Sequence, residues 1–293
     1  MLIRALLMGI RDFVSKTKSP GVIVGLSGGI DSAVVGTLAV RALGCDRVLG
    51  VRLPSRFSSE HSLEDAQELA DNLGIQLKTI SIEETVHSLR QVLGLKSNLS
   101  DQNLQARVRG IILMALANET GRLLLSTSNK SELAMGYGTL YGDLCGALMP
   151  IGDLYKTKVW KIARALNLEK NDIPERSILK APSAELDENQ LDQDSLPPYS
   201  RLDIILERYL DRYESCEQIE RETHFSKTEI EQTIDQVHRM EFKRKQAPPI
   251  LMVSPGVFGE ARRWPIVGHL QNHKLASPTI RLPEIATPRN SSQ

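Results

Sequence analysis

The stretch Val22-Ile23-Val24-Gly25-Leu26-Ser27-Gly28-Gly29-Ile30-Asp31-Ser32 changes character twice within a few residues. Val22 to Leu26 is a short, continuous apolar run of the kind buried on both faces of a parallel sheet. Ser27-Gly28-Gly29 interrupts it, and from residue 30 to 43 the apolar side chains return at helical spacing. A strand that passes through two glycines into a helix presents unpaired N–H groups beside backbone that lacks a Cβ, which suits an anion. The stretch is not a Walker loop, because no Gly-Lys-Ser/Thr follows the glycines, and it is not Gly-x-Gly-x-x-Gly. Ser27 and Ser32 add hydroxyl donors. Asp31 repels a bare phosphate. It reads either as a ligand to a Mg²⁺ that accompanies the anion or, with Ser32, as a helix cap after a glycine turn.

The same alternation recurs outward from this point. Residues 2, 3, 6, 7, 10, 13 and 14 are apolar, which marks an amphipathic first helix, and Ser19-Pro20-Gly21 ends it. Arg47 to Leu53 reads as strand, Ser59 to Leu73 as helix and Gln76 to Ile80 as strand. Two helices follow, Leu104 to Asn118 being the clearer, and then a strand from Arg122 to Ser126. Ser128 or Asn129 can cap the next helix. Strands alternating with helices predict an α/β fold, a doubly wound parallel sheet flanked by helices on both faces. Ligands in such sheets sit beyond the carboxyl ends of the strands. Residues 171 to 200 are polar, acidic and punctuated by Pro174, Pro182, Pro197 and Pro198, which predicts an ordered loop or lid. Helical patterns over 201–213 and 227–242 predict a helical C-terminal extension. One domain over residues 1–287 and a frayed tail at 288–293 complete the organisation.

Composition narrows the function classes. With 41% hydrophobic and 25% charged residues the chain is an ordinary globular sequence, long enough to bury a core without disulfides or a structural metal. Its 36 basic and 36 acidic residues cancel, which speaks against nucleic acid or an anionic membrane as the main partner. Cys45, Cys145 and Cys216 are odd in number and lack Cys-x-x-Cys spacing, so free thiols in a reducing cytoplasm are expected. No apolar run approaches a membrane span, and no His/Cys spacing suits zinc. None of the six histidines is assigned to catalysis, and Trp160 and Trp264 are read as packing residues.

Further segments bear on the substrate. Pro54-Ser55-Arg56-Phe57-Ser58-Ser59 follows the second strand. Asp101-Gln102-Asn103-Leu104-Gln105-Ala106-Arg107-Val108-Arg109 opens a long helix, with Asn103 and Arg107 four apart on one face. Thr127-Ser128-Asn129-Lys130-Ser131-Glu132 follows the fourth strand, then Gly136-Tyr137-Gly138-Thr139-Leu140-Tyr141-Gly142-Asp143, Leu154-Tyr155-Lys156-Thr157, Ala181-Pro182-Ser183-Ala184-Glu185-Leu186 and Glu241-Phe242-Lys243-Arg244-Lys245-Gln246-Ala247-Pro248-Pro249. Taken alone, Glu132 reads as a first-turn acid stabilising its helix dipole, and a single Lys or Ser reads as surface.

The Ser27–Ser32 string resembles the signature of the N-type ATP pyrophosphatases, with an adenine nucleotide alpha hydrolase-like fold. Together with the other segments, taken in order from about Leu6 to Pro265, it resembles NAD synthetase. The likeness is closest to the synthetase portion of the glutamine-dependent enzymes, through Lys243 to Pro249 and Gln190-Leu191-Asp192-Gln193-Asp194-Ser195-Leu196-Pro197-Pro198-Tyr199. That resemblance implies adenylation of the carboxylate of nicotinic acid adenine dinucleotide by ATP, with Mg²⁺, and displacement of AMP by ammonia. It implies that Ser27, Gly28, Gly29, Ile30, Asp31, Ser32, Thr127, Lys156 and Ser183 bind ATP, and that Asp31 and Glu132 hold the metal. Asn103, Arg107, Glu132 and Lys243 would grip the dinucleotide. Asp31, Lys156 and Asp143 would be catalytic, Asp143 ordering the site or deprotonating ammonium. Arg109 points off the Asn103–Arg107 face and is read as structural.

The resemblance also implies a homodimer, with the helices near Met1 to Val14 and Leu104 to Asn118 in its interface. Two departures stand out. Asp187-Glu188 occupies a place where relatives often carry Arg-Pro, predicting a more acidic, less rigid lid. The sequence begins at the synthetase portion, so free ammonia, a separate glutaminase subunit, or an excised domain is expected. Competing readings are a tRNA-modifying or GMP-forming ATP pyrophosphatase and a non-catalytic nucleotide-binding subunit. Neutral charge disfavours the first, the Asn103 to Arg109 and Lys243 segments the second, and intact Asp31, Glu132 and Lys156 the third.

Overall fold

A computed structural model describes residues 1–188, 190–259 and 264–266. The expected domain boundary at 287, the tail 288–293, and His269 and His273 lie outside the described residues.

The chain opens with helix α1 (Leu2–Lys16), strand β1 (Val22–Gly25) and α2 (Ile30–Leu43), followed by β2 (Val48–Arg52), α3 (Glu60–Leu73) and β3 (Gln76–Thr79). Then come α4 (Glu83–Leu93), α5 (Asn98–Thr120), β4 (Leu123–Leu125) and α6 (Lys130–Met135). Among the described residues the sheet is parallel throughout, in the order β3-β2-β1-β4. The chain winds outward from β1 to β3, then returns to the other side of β1, as the doubly wound reading predicted. Each expected strand agrees with the observed one to within a residue at either end.

Strands β1, β2 and β4 are buried on both faces, whereas the edge strand β3 is largely exposed, and alternate side chains serve different cores. Val22, Val24 and Val48 join Leu6, Ile10 and Val14 of α1, Val34 and Leu38 of α2 and Leu69 of α3. Ile23, Leu49, Val51 and Leu124 face Val86 of α4 and Leu104 and Val108 of α5. The apolar stripe of α1 therefore packs inside this chain, against α2.

Helix α7 (Lys156–Glu169), which the sequence reading did not name, also packs on α2, through Val159, Ile162, Ala163 and Leu166. The segment 171–200 holds a short helix α8 (Glu175–Leu179) and a turn at Asp192–Asp194. Beyond it lie α9 (Tyr199–Leu206), a π turn over Glu207–Asp211, α10 (Cys216–Thr223), α11 (Lys227–Arg239) and α12 (Glu241–Arg244). The pattern over 227–242 is thus two helices, broken at Met240. Helix α10 was not expected, although Ser215 and Gln218 form a capping box at its start. Leu202, Leu206 and Val237 of this extension bury Leu133 and Met135 of α6. Trp160 meets Tyr199 edge-on, and Trp264 packs on Tyr209 and His238, both as packing residues. The three cysteines are unpaired thiols, and no helix among the described residues is long and apolar enough to cross a membrane.

Candidate active site

The loops after β1, β2 and β4 converge at the carboxyl end of the sheet around a cavity of about 490 Å³. That volume suits a small-molecule ligand and lies where the strand order reverses. The glycine loop forms its floor. Gly28 has φ 80°, and a Cβ there would stand 2.3 Å from the carbonyl oxygen of Ser62, so both backbone conformation and space demand glycine. The serines brace the loop as well as lining it. The Ser27 N–H donates to Ser32 Oγ at 3.2 Å, Ser32 Oγ donates to the Gly29 carbonyl at 2.9 Å, and the Gly29 N–H donates to Ser27 Oγ at 3.2 Å. Ile30 buries its side chain in the core, which leaves its backbone at the helix start to the site.

Gly28→Ala should lower the melting temperature by several degrees, as a strained positive φ combines with a backbone collision. Gly44 is the control, because it has φ 89° and nothing within 4 Å of an added Cβ. Equal melting shifts for Gly28→Ala and Gly44→Ala, read by calorimetry, would contradict the collision.

Asp31, in the first turn of α2, meets two residues from other elements. Its Oδ2 pairs with the Lys156 ammonium, and its Oδ1 accepts Asn129 Nδ2 at 3.1 Å. Asn129 also caps α6, its Oδ1 accepting the Glu132 N–H at 3.0 Å. Glu132 divides its carboxylate between two tasks. Oε2 accepts the Asn129 N–H at 3.2 Å in a capping box, and Oε1 lies 3.5 Å from Lys156 Nζ. The helix-start reading of Glu132 is met at Oε2, and Oε1 is turned to the lysine.

The electrostatics follow from crowding. Burial and then the Asp31 charge push Glu132 up to about 8. Burial works against the charge on Lys156, whose side chain is 3% exposed, but the fields of Asp31 and Glu132 outweigh it and hold its pKa high. Asp192, on the lid, is raised by burial and lies within the field of the same lysine. Its Oδ2 accepts the Tyr199 hydroxyl at 2.8 Å. A carboxyl at about 8 is largely protonated at neutral pH, and a cation placed beside Glu132 would draw it back to the charged form.

The helix starts that carry Glu132 and Lys156 are fixed from behind. Ser131 Oγ accepts the Lys156 N–H at 3.0 Å and donates to Asp203 Oδ1 at 2.5 Å, while Asp203 Oδ2 accepts the Thr157 N–H at 2.8 Å. Lys130, fully buried, pairs with Asp153 at 2.9 Å and Asp211 at 2.8 Å, tying α6 to the C-terminal extension.

Helix α5 forms the opposite wall through Gln102, Asn103, Ala106, Arg109, Gly110 and Leu113. At roughly 100° per residue these positions span one stripe, centred near Ala106. Arg107 falls just past its edge. It is absent from the cavity lining, and its Nε donates to the Leu140 carbonyl at 3.2 Å. Arg109, read from sequence as structural, lines the cavity instead, with Nε donating to the Leu53 carbonyl at 3.1 Å and its pKa lowered by burial to about 10. The four-residue spacing of Asn103 and Arg107 marked a shared face but could not show which flank meets the cavity. Asn103 does meet it and accepts Thr139 Oγ1 at 2.7 Å.

Lys243 reaches the cavity from α12 and donates to the carbonyls of Gly136 at 2.7 Å and Gly138 at 2.9 Å, burial lowering its pKa. Asp143 opens to the cavity yet is enclosed by protein around it. Burial raises its carboxyl, against the Thr139 N–H that its Oδ1 accepts and the charges of Lys243 and Arg109. Thr127 lines the cavity beside the Ser27 loop.

The lid closes over this space. Ser183 lines the cavity, but its hydroxyl donates to the Gln190 carbonyl and accepts the Glu185 N–H at 3.1 Å. Asp187, expected to loosen the lid, accepts Asn98 Nδ2 at 2.5 Å and Gln102 Nε2 at 3.4 Å, and Gln105 Nε2 donates to the Leu186 carbonyl. These bonds stitch the lid to α5. Asn129, Lys180, Glu185 and Asp192 belong to the site but were given no ligand role from sequence. Only the helix-cap signal of Asn129 was legible. Among the described residues, no group of three or more His, Cys, Asp or Glu side chains is arranged to hold a metal ion.

The NAD synthase family model matches residues 2–247. A glutamine-dependent NAD(+) synthetase from Synechocystis sp. is 46% identical over 268 residues, covering 90% of this chain and 48% of the relative. The structure of glutamine-dependent NAD+ synthetase from Acinetobacter baumannii, in complex with ADP, matches with TM-score 0.61 and 39% identity, over 90% of this chain and 49% of that one. An NH3-dependent NAD synthetase from Campylobacter jejuni matches with TM-score 0.68 and 30% identity, over 83% of this chain and 94% of that one. The chain spans about half the length of the Synechocystis and Acinetobacter proteins.

Proposed function

This chain belongs to the NAD synthase family, and from that premise we propose that it amidates nicotinic acid adenine dinucleotide to NAD in the cytoplasm, at the expense of ATP. The observation that carries the reading is the meeting of Asp31, Glu132 and Lys156 behind the Ser27–Ser32 loop, across one cavity from Asn103, Asp143 and Lys243.

The loop and the start of α2 offer N–H donors to the ATP phosphates, and Lys156 offsets their charge. Mg²⁺ fits the corner formed by Asp31 and Glu132, because two carboxyl groups there leave room for phosphate oxygens and the ion would return the raised Glu132 carboxyl to its charged form. When bound, the ion would neutralise the departing pyrophosphate. Asn103, Lys243 and Arg109 hold the dinucleotide so that its carboxylate oxygen attacks the α-phosphorus, forming an adenylate and releasing pyrophosphate. Ammonia, free or from a separate glutaminase subunit, then attacks the activated carbonyl carbon and AMP leaves. Asp143, its carboxyl raised by burial, accepts a proton from ammonium before that attack. Arg107 lies beside the Leu140 carbonyl at the edge of this wall, which supports a dinucleotide contact only at the cavity mouth.

The reading extends to a homodimer. Ile111, 61% exposed, and Met114 on α5 form an apolar surface that a second copy would cover.

With ammonium as nitrogen source, pyrophosphate release from ATP should require both Mg²⁺ and the deamido dinucleotide and should match NAD formed one for one. Release that proceeds equally without the dinucleotide would point to another ATP pyrophosphatase reaction. Binding of ATP without turnover would point to a regulatory subunit.

A further inference from the structure

Lys180 follows α8, and Glu185 lies across Pro182 and Ser183 from it, both on the cavity wall. Lys180 Nζ stands 2.5 Å from Glu185 Oε1, also donates to Ser62 Oγ, and is 3.5 Å from Ser59 Oγ. Glu185 Oε1 accepts Ser62 Oγ at 2.7 Å and Ser59 Oγ at 3.1 Å. Ser62 is the residue against which Gly28 packs, so this ion pair lies one residue's thickness from the glycine loop. Glu185 holds a left-handed backbone at φ 48°, a conformation that glutamate keeps only when its surroundings fix it.

The two cavity lysines nearest the loop differ in freedom. Lys156 is 3% exposed and paired with two carboxylates, whereas the Lys180 side chain is 28% exposed and paired with one. An ammonium held by a single partly exposed carboxylate can change partners at small cost. A polyphosphate oxygen offers the same charge-assisted bond that Glu185 offers.

We propose that Lys180 is a second polyphosphate-binding lysine, held beside the glycine loop by an exchangeable pairing with Glu185. Arriving polyphosphate draws Lys180 away from Glu185, so the carboxylate competes with the ligand for one cation. The inference rests on the ATP reading above and names a residue and an opposing partner that the reading does not contain.

The test is calorimetric titration of the purified chain with magnesium pyrophosphate, alongside the Michaelis constant for ATP. Lys180→Met should weaken pyrophosphate binding about tenfold, the loss of one charge-assisted contact. Glu185→Gln keeps shape and hydroxyl partners but releases the lysine, and it should tighten binding about threefold. In the double variant that gain should vanish, because there is no lysine left to release. Unchanged or weakened binding in Glu185→Gln makes the pair a strut of the lid and overturns the proposal, even if Lys180→Met fails to fold. A wild-type chain that binds neither pyrophosphate nor ATP instead overturns the ATP reading itself, and the inference with it.

Discussion

Lys156→Met should slow NAD formation by about a thousandfold, the scale of losing one preorganised charge at developing negative charge. It should also destabilise the chain, because Asp31 and Glu132 then share a buried corner with no cation between them. Breaking a buried pair from one side costs roughly 3–5 kcal/mol. The pH dependence has a definite sign. Burial and Asp31 raise the Glu132 carboxyl, and Lys156 is what lowers it, so the variant lifts it further above its ordinary 4.5. A carboxyl raised in the folded state contributes its stability below the unfolded value and loses it as pH climbs toward the folded one. Wild type carries the same carboxyl raised to about 8, so the melting deficit against it should be present at pH 5, start to grow only above about pH 8, and be larger at pH 9. Equal deficits at both pH values, by differential scanning calorimetry, would show that Lys156 acts through packing alone.

Asp31→Asn should cut dinucleotide-dependent pyrophosphate release by at least about a thousandfold in saturating Mg²⁺. The substitution keeps the side chain's shape, and the Asn129 hydrogen bond can persist through the amide oxygen. Lys156 retains Glu132 as partner, and removing the Asp31 charge relieves one cause of the raised Glu132 carboxyl. The melting temperature should thus move by only a few degrees while the chemistry is lost. More than a tenth of wild-type pyrophosphate release would remove Asp31 from the metal assignment. An unfolded variant would instead make its pairing with Lys156 structural.

The contrast between these two variants reflects how the corner is built. Asp31 and Lys156 are far apart in sequence and meet only because α2 and α7 pack on each other. Asn129 was legible as a helix cap because the cap is a local device, satisfied within three residues. Its second bond, to Asp31, depends on β4 lying beside β1 and had no local signal. Arg107 and Arg109 carry the same lesson on α5. Periodicity sorts side chains into faces, but the packing of Gly110 against Tyr141 and Gly142 decides which face meets the cavity.

By itself the sequence determined the strand–glycine–helix loop, the order of parallel elements and the chemistry available to them. Those rest on short-range causes: apolar runs that must be buried, glycines that permit φ 80°, and N-terminal helix groups that need partners. Only the tertiary structure decided the partners. It set Lys156 between Asp31 and Glu132, turned Arg109 rather than Arg107 toward the cavity, and fastened the acidic lid to α5 through Asp187. Each depends on distances between segments remote in the chain, which are set by core packing and leave no trace in local spacing.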